Sequence, residues 1–373
     1  MAGRGYRSTI DAVLEKAGIH PGGGSPSDPE IRDPRFYRRV AAEGSLGLGE
    51  SYVDGWWDCA ALDRFFDRLL RVDPSSAVRP FLDVARVLWA RLSNLQRRSR
   101  AFEIGRRHYD LGNELFRRML DRRMIYSCGY WSGGARDLDE AQEAKLDLVC
   151  GKLGLAQGMR VLDVGCGWGG TLRYAAERHG VLGVGITVSA EQARLATEAC
   201  AGLPIEIRLQ DYRDVEGTFD RVLSLGMFEH VGLRNYRTYM DAVRARVADA
   251  GLFLLHTIGG NRSARSTDPW IARYIFPNSM LPSARQIAES LEGLFVLEDW
   301  QNLGADYDLT LMAWHARFED AWEELRRRYD ERFHRMWRYY LLSCAGSFRC
   351  RSNQVWQVVL SPSGVPGGYR ATR

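Results

Sequence analysis

Apolar positions along the chain change rhythm near residue 140. Before it they recur three and four apart, as at Leu62, Phe65, Phe66, Leu69 and Leu70, and again at Phe81, Val84, Leu88 and Leu92, the spacing of one face of an α-helix. Residues 1–20 read as a short helix of mixed charge. Residues 21–34 (PGGGSPSDPEIRDP) are a Gly/Pro/Ser/Asp loop. The basic, polar run from Ser93 (SNLQRRSRAFEIGRRHYD) reads as a hinge. Beyond it, short apolar runs (MRVLDVG, LGVGIT, IEIRLQD, DRVLSLG, GLFLLHTI) alternate with amphipathic segments such as TLRYAAERH and SAEQARLATEACAG. Strands separated by single helices pair in parallel and are covered on both faces. The fold expected is therefore α/β, a doubly wound, mostly parallel Rossmann-like sheet with a smaller helical N-terminal domain. The divisions expected are a poorly defined segment 1–34, a helical domain 35–100 and a sheet domain 101–373. A late helical stretch and a final strand, VWQVVLS, complete the pattern.

A length of 373 residues allows two domains, and 45% hydrophobic with 26% charged residues excludes a disordered or fibrous chain. A net charge of +4 is too mild for a nucleic-acid footprint, so no nucleic-acid partner is expected. No apolar run is long enough for a membrane span, and residues 1–20 lack the apolar stretch of a secretory signal. The seven cysteines are dispersed and form no CxxC pair, so neither a disulfide framework nor a metal site is expected, and a reducing cytoplasm is. Lysine occurs only at Lys16, Lys145 and Lys152, leaving 51 − 3 = 48 arginines. A bias this uniform reads as background composition before it reads as a need for guanidinium forks.

The strongest local signal is VLDVGCGWGG at 161–170. An apolar strand runs into glycines at 165, 167 and 169, which permit a tight turn and close approach of a ligand to the backbone. The pattern is G-x-G-x-G, not the G-x-G-x-x-G of dinucleotide binders, and no P-loop lysine follows. With Asp163 at the strand end, it resembles the first motif of class I S-adenosylmethionine-dependent methyltransferases. The second strand ends at Thr187, where an acidic residue usually grips a ribose, so Thr187, Ser189 or Gln192 takes that role here. The third ends at Asp211-Tyr212, with Asp211 placed to accept from an adenine amino group or, more plainly, to cap a helix.

Further blocks are HYDLGNELFRRMLDRRMIYSCGYW (108–131), GMFEHVGLRNYRTYM (226–240), LLHTIGG (254–260), DPWIARYIFPNSMLPS (268–283) and GADYDLTLMAW (304–314). With GSLGLGESYVDGWW (44–57) and YYLLSCAGSFR (339–349), they closely resemble cyclopropane-fatty-acyl-phospholipid synthases, relatives of the mycolic acid cyclopropane synthases. The resemblance runs from about residue 35 to about 360. It implies a lipid-associated helical domain, a methyltransferase catalytic domain, S-adenosylmethionine as cofactor and a homodimer. It also implies methylenation of cis double bonds in membrane phospholipids, with a bound bicarbonate as base. The implied bicarbonate holders are Cys128, Glu229, His256, the backbone of Ile258, and Tyr307. Tyr126 and Ser127 are expected to fold over the cofactor. Cys344 corresponds to a family cysteine traditionally labelled catalytic.

The chemistry is coherent with those residues. An alkene is a weak nucleophile, so positioning supplies much of the rate. The carbocation that follows needs a dry pocket and tolerates aromatic faces, for which Tyr126, Tyr130, Trp131, Phe228, Tyr274 and Tyr307 are candidates. Glu229 and His256 are expected just past strand ends. Methylating an alkene needs no thiolate, so Cys344 reads as structural. An acyl chain in a bilayer calls for peripheral membrane contact, with Arg91, Arg97, Arg98, Arg100, Arg106 and Arg107 as headgroup contacts and Trp56, Trp57 and Trp89 as interface or core residues. The alternative outcome of the same chemistry is a methylene-branched or hydroxylated chain.

Overall fold

The computed structural model describes residues 2–72, 112–264 and 266–373. The arginine cluster from Arg91 to Arg107, and Trp89, lie outside the described residues. The chain divides into two compact units, one of Met1–Ser93, Arg265–Pro277 and Tyr307–Asn353, the other of Asn94–Ala264, Asn278–Asp306 and Gln354–Arg373. The helical unit thus draws on two later segments that the linear division at residue 100 assigned to the sheet domain.

The second unit is built on a seven-stranded sheet. Its strands are β1 (Arg160–Val164), β2 (Leu182–Thr187), β3 (Ile205–Leu209), β4 (Phe219–Leu225), β5 (Val247–Gly260), β6 (Val296–Asn302) and β7 (Asn353–Ser361), in the order β3-β2-β1-β4-β5-β7-β6. The first five pair in parallel, and β6 pairs antiparallel with β7. Burial on both faces explains the unbroken apolar runs: Val161 packs with Leu172, Val181 and Leu254 on one side, and its neighbour Leu162 with Val222, Tyr239 and Phe253 on the other. The order reverses between β1 and β4, so their carboxyl ends diverge and leave a crevice there.

Two strands depart from expectation. β5 runs for 14 residues and takes in His256, which pairs with Leu225 inside the sheet and does not follow a strand end. β6 was not expected, because VLEDWQN is polar for a strand. Its charges are satisfied by the chain's last residues. Arg373 forks onto Asp299, Lys152 Nζ stands 3.4 Å from the same carboxylate, and Glu298 accepts from Ser361 Oγ at 2.5 Å and Val365 N at 2.8 Å. Edge strands carry such charges readily.

In the helical unit, Leu62–Arg71 packs against Glu331–Arg349. The approach is close enough that a Cβ on Gly346 would stand 2.6 Å from the Asp63 carbonyl. Tyr52, Trp57, Phe65, Phe66 and Tyr339 form a chain of aromatic contacts at 5.2–5.5 Å. Trp57 is therefore core.

Candidate functional site

The crevice at the β1/β4 reversal holds a cavity of about 180 Å³, several water volumes in extent. Its walls come from the carboxyl ends of four strands. They include Asp163 within β1 and Gly165 and Gly167 after it, Thr187 at the end of β2 and Gln192 beyond it, Asp211 and Tyr212 after β3, and Met227 after β4. Met124, Ile125, Tyr126 and Ser127 close it from another side. Gly167 has φ +54°, and a Cβ there would meet nothing within 4 Å; glycine is required by the turn, and its bare face opens on the cavity.

Gly169 and Ser189 do not line the cavity. A Cβ on Gly169 would stand 3.0 Å from Cys200 Sγ, so its smallness serves packing against the following helices. Ser189 caps the helix Ala190–Ala199, accepting from Gln192 N at 3.3 Å. Thr187 Oγ1 donates to Gln192 Oε1 at 2.9 Å, joining two of the expected ribose contacts. Asp211 accepts from the Arg213 Nε and Nη2, both at 2.8 Å, and from the Arg213 backbone N at 3.0 Å. Asp211 thus caps a turn, and its carboxylate also lines the cavity.

The floor of the cavity is electrostatically unusual. Asp163 is 2% exposed, and its Oδ1 has no hydrogen-bond partner among the described residues. Burial pushes its carboxyl up to about 7, against the pull of the Lys145 charge. Lys145 is itself wholly buried, which lowers its ammonium to about 8. Sequence reasoning passed over Lys145. Its rarity was a usable signal, since only three lysines occur in the chain.

Beside the cavity, Glu229 turns toward β5. Its Oε1 accepts from Ile258 N at 2.6 Å, and Oε2 has no partner among the described residues. Burial raises this carboxyl to about 7, against the Ile258 hydrogen bond. His256 is 2% exposed, and burial lowers it to about 3, aided by the positive charges of Lys145 and Lys152. It is a neutral ring, with Nδ1 3.3 Å from Gln357 Nε2. Cys128 is fully buried, and its thiol faces the carbonyls of Gly129 and Leu303, donating at 3.1 and 3.7 Å. Phe228 stacks on Tyr236 at 4.3 Å within the core.

The remaining two positions lie in the helical unit. Tyr307 packs on Trp314 and Phe348. Burial raises the Cys344 thiol to about 12, which does not favour a thiolate at neutral pH.

The family model described as mycolic acid cyclopropane synthetase matches residues 96–358. The chain belongs to that family. Within it, the chain is 54% identical over 362 residues to the cyclopropane-fatty-acyl-phospholipid synthase of Escherichia coli K12, covering 97% of this chain and 94% of that protein. It is 35% identical to the tuberculostearic acid methyltransferase UfaA1 of Mycobacterium tuberculosis, covering 94% and 87%. Among solved structures it resembles the mycolic acid cyclopropane synthase CmaA1 complexed with SAH and CTAB. That match has a TM-score of 0.64 and 34% identity, covering 69% of this chain and 97% of that one.

Proposed function

We propose that this family member is a cyclopropane-fatty-acyl-phospholipid synthase, moving a methylene from S-adenosylmethionine onto the cis double bond of unsaturated phospholipid acyl chains. The observation that carries the reading is the 54% identity across 97% of the chain, a breadth that takes in the residues before 96, where the family model begins.

S-adenosylmethionine supplies an electrophilic methyl when bound. The cavity suits such a group: the open face of Gly167 with the Asp163 and Asp211 carboxyls in the lining is a cradle with acceptors for amino groups. Its holders would be Tyr126, Ser127, Asp163, Gly165, Gly167, Thr187, Gln192, Asp211 and Tyr212. The acyl chain turns cationic in alkene methylation, so the surrounding residues must exclude water and one proton must leave.

Bicarbonate is the base in this proposal, held by Cys128, Glu229, His256, Tyr307 and the Ile258 N–H. Support comes from Glu229, a carboxyl near half protonation at neutral pH that can face a second anion through its own proton. Neutral His256 retains a ring N–H to donate. Because the Ile258 N–H already serves Glu229 Oε1, bicarbonate would share that donor. No helix among the described residues is long and apolar enough to cross a membrane, so contact with the bilayer is proposed to be peripheral, from the cytoplasmic side. The homodimer rests on the family resemblance.

Expression in a host devoid of cyclopropane lipids, followed by mass spectrometry of the fatty acid methyl esters, tests the function. A saturated product heavier by one CH₂ with no double bond is expected. A branched alkene or a hydroxylated chain would replace ring closure by the alternative outcome, and no lipid product would overturn the reading.

A further inference from the structure

Four consecutive cavity residues, Met124 to Ser127, belong to no helix or strand, yet they form a continuous wall. What fixes them lies behind, outside the cavity. The buried Asp121 carboxylate accepts from Arg123 N at 2.8 Å and from Ile125 N at 2.7 Å, tying the turn that leads into the wall. Met124 within that turn has φ +58°, a left-handed conformation costly for a side chain of this size. A conformation of that kind persists only where its surroundings over-determine it. The far end of the wall is held by the helix Leu138–Leu153. Gln142 Nε2 donates to the Ser127 carbonyl at 2.8 Å, and Lys145 Nζ donates to Ser127 Oγ at 3.2 Å. Both side chains are 0% exposed, and three residues apart they share one face of the helix. A fully buried lysine is rare unless its charge is used, and the carboxylates acting on it are Asp121 and Asp163, one behind the wall and one on the cavity floor.

We infer that Lys145 is a positioning residue for cofactor binding: from outside the cavity it fixes Ser127, and with it the end of the wall that faces the cofactor. The inference rests on the reading that this cavity takes S-adenosylmethionine. It assigns Lys145 no contact with substrate or reacting atoms.

Calorimetric titration of the full-length protein with S-adenosylhomocysteine, alongside steady-state kinetics on phospholipid vesicles, tests it with Lys145→Met. Leaving Ser127 without its buried partner should weaken S-adenosylhomocysteine binding about tenfold or more. The KM for S-adenosylmethionine should rise in step, with the KM for lipid unchanged and kcat at saturating cofactor within about twofold. A merely structural loss would reduce the active fraction, lowering apparent kcat and leaving both KM values where they were; that result overturns the inference. Should Lys145→Met not fold, Gln142→Met removes the other anchor of Ser127, the donor to its carbonyl, without touching the cavity lining. It should show the same KM split, and unchanged binding there overturns the inference equally. When both variants fold, their effects on binding should fall short of additive. Failure of the unmodified protein to bind S-adenosylhomocysteine would instead sink the cavity reading itself, an outcome distinct from the others.

Discussion

Glu229 gives one oxygen to the Ile258 N–H and the other has no hydrogen-bond partner among the described residues, so burial dominates its protonation state. A carboxyl raised from 4.5 to about 7 favours the folded state while protonated, and that advantage is lost as pH rises through the interval. Glu229→Gln, which cannot ionise, should therefore gain stability relative to the parent between pH 5 and pH 8, by on the order of 3 kcal/mol at most. Thermal unfolding across that range checks it; a difference that does not move with pH would show that the carboxyl is not buried as described. The same variant should lose methylenation and still bind S-adenosylhomocysteine, since Glu229 is not part of the cavity lining. Retained activity would remove Glu229 from the chemistry. At this scale the sequence was legible where a motif fixes the backbone, as at Gly165 and Gly167, and illegible where partners are distant. The bond from Ile258 to Glu229 spans 29 residues, and no local spacing announces it. Lys145 was missed for a related reason, because a lysine in a charge-bearing helical run such as LDEAQEAKLDL reads as solvated.

The strand-to-helix turn after β1 and the helix Leu138–Leu153 both act on the cavity, and each has a residue that tests it. Gly167→Ala is expected to lower stability by about 1 kcal/mol through its left-handed φ and to weaken cofactor binding further, because the new methyl projects into open cavity space. At Gly170, which begins the next helix, a Cβ would stand 2.2 Å from the Arg123 carbonyl. Gly170→Ala should thus displace the wall from behind and cost more stability than Gly167→Ala; the ranking is read by denaturant unfolding with S-adenosylhomocysteine titration. Asp137 caps Leu138–Leu153 by accepting from Glu140 N at 2.9 Å, and Asp137→Ala should cost about 1 kcal/mol. Alternating strands and helices could be read from the chain because parallel strands buried on both faces leave unbroken apolar runs. β6 could not, because its Asp299 and Glu298 depend on residues over 60 positions away. The continuation of β5 through His256 was likewise set by pairing with β4, not by its own pattern.

For the whole molecule, the division into units shows why a linear reading falls short. Residues 265–277 and 307–353 join the helical unit through contacts that no window of sequence contains. Membrane contact belongs to this scale as well. Reversing charge at Arg97, Arg98 and Arg100 together should weaken co-sedimentation with anionic vesicles at low salt, at roughly 1 kcal/mol per charge near the surface. Added salt should erase the difference, and unchanged binding at low salt would place the contact elsewhere. The lysine distribution has a practical consequence. Lys145 and Lys152 are at most 1% exposed, while Lys16 stands in solvent at the end of the first helix. Amine-reactive dyes and crosslinkers therefore meet a single lysine side chain, besides the α-amino group, in a protein with 51 basic residues. A fluorophore or sensor-chip linkage placed through Lys16 would leave the cofactor cavity untouched, with no cysteine introduced.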